Sequence, residues 1–304
     1  MTTAQSEPAR AGHARAGQAP AGQQFDPVAY KQTTRDQWDG AAAAWDEWGG
    51  VLEEWLGPAT GLMLDMSGAA AGSRVLDVAA GAGGQTVAAA RRAGPSGRVL
   101  ATDISAGILA RADRRMAGAG LANVATRVMD GEDIAVEPGH YDAVISRLGL
   151  IYFPDRPRAL GGMRAALRPG GRVAVMVYAT AELNGFFSVP VSIIRRAAGL
   201  GAPLPGQPGP FSLSADGALA GELAEAGFTG IEVREVDAPL RLPSSADGLR
   251  FERESFGALH QMLAALPEAG REAAWTEVGE ALRQFDGADG WAAPCRLLVG
   301  AGTR

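Results

Sequence analysis

Asp77, the glycine turn Gly81-Ala82-Gly83-Gly84 and Asp103 are the residues whose types and spacing best suit them to chemistry. Asp77 lies in a short apolar run, Val75-Leu76-Asp77-Val78-Ala79-Ala80, which reads as a buried parallel strand. A helix-forming segment from Gln85 to Arg92 follows the turn, the order expected of a nucleotide-cofactor site. Glycines there let the backbone pass close to a ligand where a side chain would collide. Asp103 ends the next apolar run, Val99-Leu100-Ala101-Thr102, at the separation expected of a carboxylate on strand two that holds a ribose diol.

Two kinds of cofactor compete for such a turn. A dinucleotide fingerprint needs a third glycine three residues on, for helix–sheet packing beside a pyrophosphate, and Thr86 stands at that place. The downstream segments favour the other. Val124-Ala125-Thr126-Arg127-Val128-Met129-Asp130-Gly131 reads as strand three ending in an acid, and Tyr141-Asp142-Ala143-Val144-Ile145-Ser146-Arg147 as strand four. In Leu167-Arg168-Pro169-Gly170-Gly171-Arg172-Val173-Ala174-Val175, Pro169 and Gly170 stop a helix and supply a tight turn before a buried strand five. With the Asp77 turn, these motifs resemble the class I S-adenosylmethionine-dependent methyltransferases over roughly Arg74 to Tyr178. Their wording is similar to that of the ubiquinone/menaquinone-biosynthesis-like small-molecule methyltransferases. The family's usual first glycine is Ala79 here.

The resemblance implies an α/β fold: a doubly wound, Rossmann-like sheet of seven strands, mostly parallel with strand seven antiparallel, carrying N-terminal helices and helical cap insertions. It implies S-adenosylmethionine as cofactor, with Asp103 on the ribose, Asp130 on the adenine amino group and the Gly81–Gly83 turn at the amino-acid end. The expected cofactor-binding set is Asp77, Ala79, Gly81, Gly83, Asp103, Ile104, Met129, Asp130, Gly131 and Ser146, with Arg147 a further neighbour of the methionine end. The implied activity is methyl transfer by in-line displacement to a small, largely apolar molecule, quinone-like or a natural-product scaffold. A protein of the same fold that binds the cofactor in a non-methylating or regulatory role remains an alternative, and a nucleotide-dependent oxidoreductase a more distant one. Strand four ends in Ser146-Arg147-Leu148-Gly149, unlike the motif of DNA amino-methyltransferases, and without the carboxylate of metal-dependent catechol methyltransferases, so no metal is expected.

Catalytic residues are harder to read. His260 falls at helical spacing from Phe256 and Leu263, and an imidazole titrating near neutrality suits a general base, so it is the candidate; a core histidine is the competing reading. Glu252 and Glu254 are lesser candidates that also read as a solvated helix face. Phe186, Phe187, Phe256 and Met262 are expected around the substrate. Trp38, Trp45 and Tyr30 either pack the core or line the cofactor pocket, where an aromatic face suits a sulfonium. His13 lies in a tail and His140 ahead of strand four, away from the expected pocket.

The elements that must position these residues follow from the pattern. Residues 1–25 read as a disordered tail, rich in Ala, Gly, Gln and Pro. Residues 26–68 read as an N-terminal helical cap segment that opens on Asp26-Pro27, an N-cap followed by proline at the first helical position. Trp38, Trp45, Trp48 and Trp55 recur near one helical face. Residues 69–304 read as the methyltransferase domain, with cap insertions at about 179–213 and 243–290. A helix is expected over Ser214–Ala226, strand six over Ile231–Val236 and the antiparallel strand from Arg296 to Ala301. One cysteine, Cys295, excludes an internal disulfide and reads as buried packing. A net charge of −6 offers no footprint for nucleic acid. With neither an apolar run long enough to span a membrane nor a secretory signal pattern, a cytoplasmic protein acting on a small molecule is expected. Oligomeric state is not legible.

Overall fold

The computed structural model describes residues 25–204 and 206–304 of the 304-residue chain, so the tail to residue 24, with His13, lies outside the described residues. The chain enters through α1 (Pro27–Glu47). The Asp26 carboxylate accepts from the Val28 and Ala29 N–H groups, and Pro27 fills the first turn where no donor is needed. At Trp48 the helix breaks, with Gly49 and Gly50 following, and α2 (Gly49–Met66) leaves in a new direction. The tryptophans therefore do not share one helical face: Trp38 and Trp45 belong to α1 and Trp55 to α2.

The core alternates β1 (Arg74–Val78), α3 (Gly84–Ala93), β2 (Arg98–Asp103), α4 (Ala106–Gly118), β3 (Val124–Val128), β4 (Tyr141–Arg147), α5 (Arg156–Ala166) and β5 (Leu167–Tyr178). The first insertion carries α6 (Gly185–Ala197). Then come α7 (Ala218–Glu225) and β6 (Thr229–Asp237). The expected helix over Ser214–Ala226 is shorter than the pattern predicts: Gly217, left-handed at φ 72°, caps it, and Ser214–Gly217 form turns instead.

The second insertion holds α8 (Ser245–Ser255), α9 (Gly257–Met262) and α10 (Glu268–Leu282). It also holds a small antiparallel sheet that the sequence did not reveal, in which β7 (Leu240–Leu242) and β8 (Asp286–Gly287) flank β9 (Gly290–Ala293). Strands of two to four residues leave too little alternation to read. The chain closes with β10 (Arg296–Thr303).

The main sheet runs β3-β2-β1-β4-β5-β10-β6, with the first five strands parallel and β10 antiparallel to both neighbours, the arrangement the resemblance implied. Parallel strands are covered on both faces, so they are near-continuous in apolar residues: Val173 to Val177 and Ala143 to Ile145 are fully buried. α2 packs on β5 and β10, while α1 lies against α4, α8 and α9. Buried Asn184 ties the first insertion to the sheet. Its side-chain amide donates to the Ala179 and Thr180 carbonyls, and its oxygen accepts the Arg296 N–H. Cys295 is buried, and burial pushes its thiol well above its ordinary range. No described helix is long and apolar enough to cross a membrane.

Candidate functional site

A cavity of about 330 Å³ opens where the carboxyl ends of β1, β2, β4 and β5 meet the cap, within the size range of small-molecule sites. Its floor is the turn after β1, with Ala79, Ala80, Gly81, Ala82, Gly84 and Gln85. One wall carries Asp103, Ile104, Met129, Asp130 and Gly131 from the ends of β2 and β3. The remaining lining is largely aromatic: Trp38 and Trp45 from α1, Tyr152 and Phe153 after β4, Tyr178 at the end of β5, and Phe256 between α8 and α9. Trp38 packs edge-on against Trp45 and Tyr152, so these rings form one connected surface.

The floor is held from beneath by Asp77. This fully buried carboxylate accepts from the Thr86 hydroxyl at 2.6 Å and the Gln85 amide at 3.3 Å, which fastens the start of α3 to β1. Burial raises its pKa to about 6 against the opposing hydrogen bonds and the charge of Arg147. Thr86, which stands where a dinucleotide site has glycine, is thus a buried partner of Asp77. Asp77 itself does not reach the cavity.

Asp103 accepts the Gly81 N–H with one oxygen and the Ser105 N–H with the other, both at 3.0 Å. Each oxygen keeps a further lone pair for a ligand at the cavity edge. Burial raises this carboxyl too, partly offset by those N–H donors. Asp39 of α1 reaches the same corner, accepting from the Ser105 hydroxyl and the Gly107 N–H at the start of α4. Asp130 accepts a hydrogen bond from Lys31 at 2.8 Å, and Lys31 also pairs with Glu132. Partial burial alone would lower the Lys31 pKa, but the two carboxylates hold it above its ordinary value.

Arg147 projects from the end of β4 to the cavity beside Gly84, donating to the Thr60 hydroxyl at 3.1 Å. Burial lowers its pKa to about 10, so it stays charged at neutral pH. Arg115 approaches Gly84 as well, and two cations beside the N-terminus of α3 suit a carboxylate.

Ala79 takes a left-handed backbone, φ 59°, where the family usually has glycine. Its methyl group fits because residue 149 has none: a Cβ on Gly149 would stand 2.5 Å from the Ala79 Cβ and 2.6 Å from the Ser146 hydroxyl. A close approach also accounts for Gly131, since a Cβ there would run into the Phe153 ring.

Of the residues expected at the cofactor, the cavity gathers Ala79, Gly81, Asp103, Ile104, Met129, Asp130 and Gly131. Asp77, Gly83 and Ser146 do not line it: Asp77 and Ser146 are fully buried below the floor, and Gly83 packs against Ala112 of α4. Phe256 lines the cavity, as expected for substrate contact. Phe186 and Phe187 stand behind it, Phe186 against Trp55 and Tyr178 and Phe187 against Phe256. Met262 packs at the edge of the core, away from the cavity.

His260 is a correction. It is exposed on the far side of α9, its Nε2 is 2.6 Å from the Arg253 carbonyl and its ring lies beside Trp275. The helical spacing that suggested an inward side chain fails because α9 is short and follows a break at Phe256. Trp38 and Trp45 line the cavity; Tyr30 does not and rests beside Phe25. Sequence reasoning missed Lys31, Tyr152 and Tyr178 as site residues. Tyr178 had a signal, its place at the carboxyl end of a parallel strand. Lys31, the sole lysine, comes from the far end of the first helix and had none.

The descriptions of known proteins agree with this geometry. A methyltransferase-domain family model matches residues 75–171. Nocamycin O-methyltransferase of Saccharothrix syringae is 32% identical over 211 residues, 63% of this chain and 72% of that one. The ubiquinone/menaquinone biosynthesis C-methyltransferase of Ralstonia pickettii is 37% identical over 107 residues, 35% of this chain and 44% of that one. The chain spans 60% of the length of the uncharacterised Mycobacterium tuberculosis protein it matches at 31% identity over 56% of its own residues. In fold it is similar to a putative methyltransferase of Bacillus halodurans, with a TM-score of 0.53 at 18% identity over 81% of this chain and 98% of that one. The ordered motifs, the sheet they build and this similarity converge: the chain belongs to the class I S-adenosylmethionine-dependent methyltransferase family.

Proposed function

We propose that this protein transfers a methyl group from S-adenosylmethionine to a small, largely apolar molecule, quinone-like or a natural-product scaffold. The observation that carries the reading is the shared cavity, which is lined by acids, a glycine turn and a set of aromatic rings. A cofactor with a ribose, an adenine and an amino-acid end suits the polar side. Asp103 has free lone pairs for a diol, Asp130 lies at the end of β3 for an amino donor, and Arg147 offers a cation for a carboxylate. Bound there, S-adenosylmethionine would supply a methyl group already activated by its sulfonium.

The protein's own part is then alignment and dryness. Asp77 fixes the turn, Asp39 and Lys31 hold α1 over the acids, and Trp38, Trp45, Tyr152 and Phe256 exclude water from the acceptor. The nocamycin and ubiquinone/menaquinone relatives, both named for methylation of small molecules, support this class of acceptor. The test is transfer from methyl-labelled S-adenosylmethionine into small-molecule extracts, read by mass spectrometry. A labelled apolar product supports the proposal. No product in any extract, from protein that binds S-adenosylhomocysteine, contradicts it.

A further inference from the structure

We propose that Glu252 and Ser255 form a polar subsite for the methyl acceptor, one that receives a hydroxyl or carbonyl group carried on an otherwise apolar ring. The inference rests on the proposed function and names what its acceptor must carry. The sequence pattern left Glu252 as either a lesser candidate for general base or part of a solvated helix face. Instead the residue is 0% exposed, and neither carboxyl oxygen has a hydrogen-bond partner among the described residues. Three residues on, and so on the same side of α8, the Ser255 hydroxyl is equally buried and equally unpartnered.

Two adjacent orphans of this kind are costly, and each calls for an explanation in a bound group or a role in the chemistry. The surroundings give no other partner. α8 is embedded in rings, with Phe251 against Trp48 and Trp55, and Phe256 against Trp45 and Phe187. Burial with no compensating charge pushes the Glu252 carboxyl well above the carboxylate range. A neutral carboxyl beside a hydroxyl offers both donors and acceptors, which suits a hydroxyl or carbonyl oxygen.

Neither residue lines the cavity, but neighbours of the pair do. Phe256, one helical turn beyond Glu252, lines it, as does Tyr178, whose phenol is raised by burial first and then by neighbours that include Glu252. The helix breaks at Phe256, φ −112° and ψ 82°, and on this proposal a ligand reaches the pair from the cavity by displacing that ring.

The test uses the full chain saturated with S-adenosylhomocysteine and two calorimetric titrants of similar size, 2-naphthol and 2-methylnaphthalene. Wild type should prefer the naphthol by about tenfold or more, Glu252→Gln should keep most of that preference, and Glu252→Met should abolish it. Glu252→Met should also raise the melting temperature, because an orphaned carboxyl is gone. Equal affinity of wild type for the two probes overturns the proposal. So does a preference unchanged in Glu252→Met, or a lowered melting temperature, which would mean that the fold itself uses the carboxyl. Failure of wild type to bind S-adenosylhomocysteine would break the proposed function instead, so the two failures are distinguishable.

Discussion

The two sides of the cavity are built by opposite rules. On the polar side the contacts that shape the glycine turn are short in sequence: Asp77 with Gln85 and Thr86, Asp103 with Ser105 and Gly81, all within 22 residues. On the cap side the contacts join residues far apart, as where Trp45 donates to the Ser255 carbonyl and Trp48 to Glu254 across more than 200 positions. Asp77 and Asp103 are held by several hydrogen bonds, whereas Glu252 on the cap side has no partner among the described residues; unpartnered hydroxyls occur in both regions, at Ser146 and Ser255. On the proposed function, the cofactor's turn is written locally and the acceptor's surroundings are assembled from insertions.

The sharpest way to break this contrast is at Asp103. Asp103→Ala removes a charge-assisted acceptor and should weaken S-adenosylhomocysteine binding by at least about 100-fold in calorimetry. A loss under about fivefold would mean that the polar side does not hold the ribose.

Asp77 tests the floor through pH. Its pKa is raised from 3.8 to about 6 in the folded protein, so the folded state binds the proton more tightly than the unfolded chain. The stability this contributes is present in full below pH 3.8 and is lost as pH rises through about 6, a change on the order of 3 kcal/mol at most. Asp77→Asn should therefore flatten the fall in unfolding free energy between pH 4 and pH 7. Parallel pH profiles for the two proteins would contradict the buried assignment.

Where Ala79 and Gly149 meet, Gly149→Ala should cost about 1–3 kcal/mol by overpacking against Ala79 and Ser146. Adding Ala79→Gly should recover part of that loss, measured by urea unfolding. Additive effects would show that the two methyl groups do not meet. The smallest effect is expected at His260, where alanine should leave transfer rates within twofold, because the imidazole lies outside the cavity.

The same contrast explains what was legible in the sequence. The strands of the sheet were legible from apolar runs broken by glycine, proline and acids, because each such signal is confined to a few residues; that the last strand runs antiparallel came from the family resemblance. Asp103 and Asp130 could be read because they end strands. Asp77 and Ser146 were assigned to the right strands but to the wrong layer, since sequence position does not say whether a strand-end side chain points into the cavity or below it. Glu252 looked solvated because an acid on a helix usually is; only the packing of α8 against rings from α1, α2 and α6 buries it. His260 failed for the converse reason, a helical period read across a break. Lys31, from α1, meets Asp130 and Glu132 across about 100 residues, a pairing that no local pattern encodes.

The central claim is that the acids and the aromatic cap residues line one cavity that holds the cofactor, and tryptophan fluorescence tests it most directly. Trp38 and Trp45 line that cavity, whereas Trp55, Trp275 and Trp291 are packed in the core. Titration with S-adenosylhomocysteine should give a saturable change in emission that is lost in the Trp38→Phe/Trp45→Phe double variant, while calorimetry still detects binding. Binding by calorimetry with no change in wild-type emission would mean that the cap does not cover the cofactor, and the account would fail.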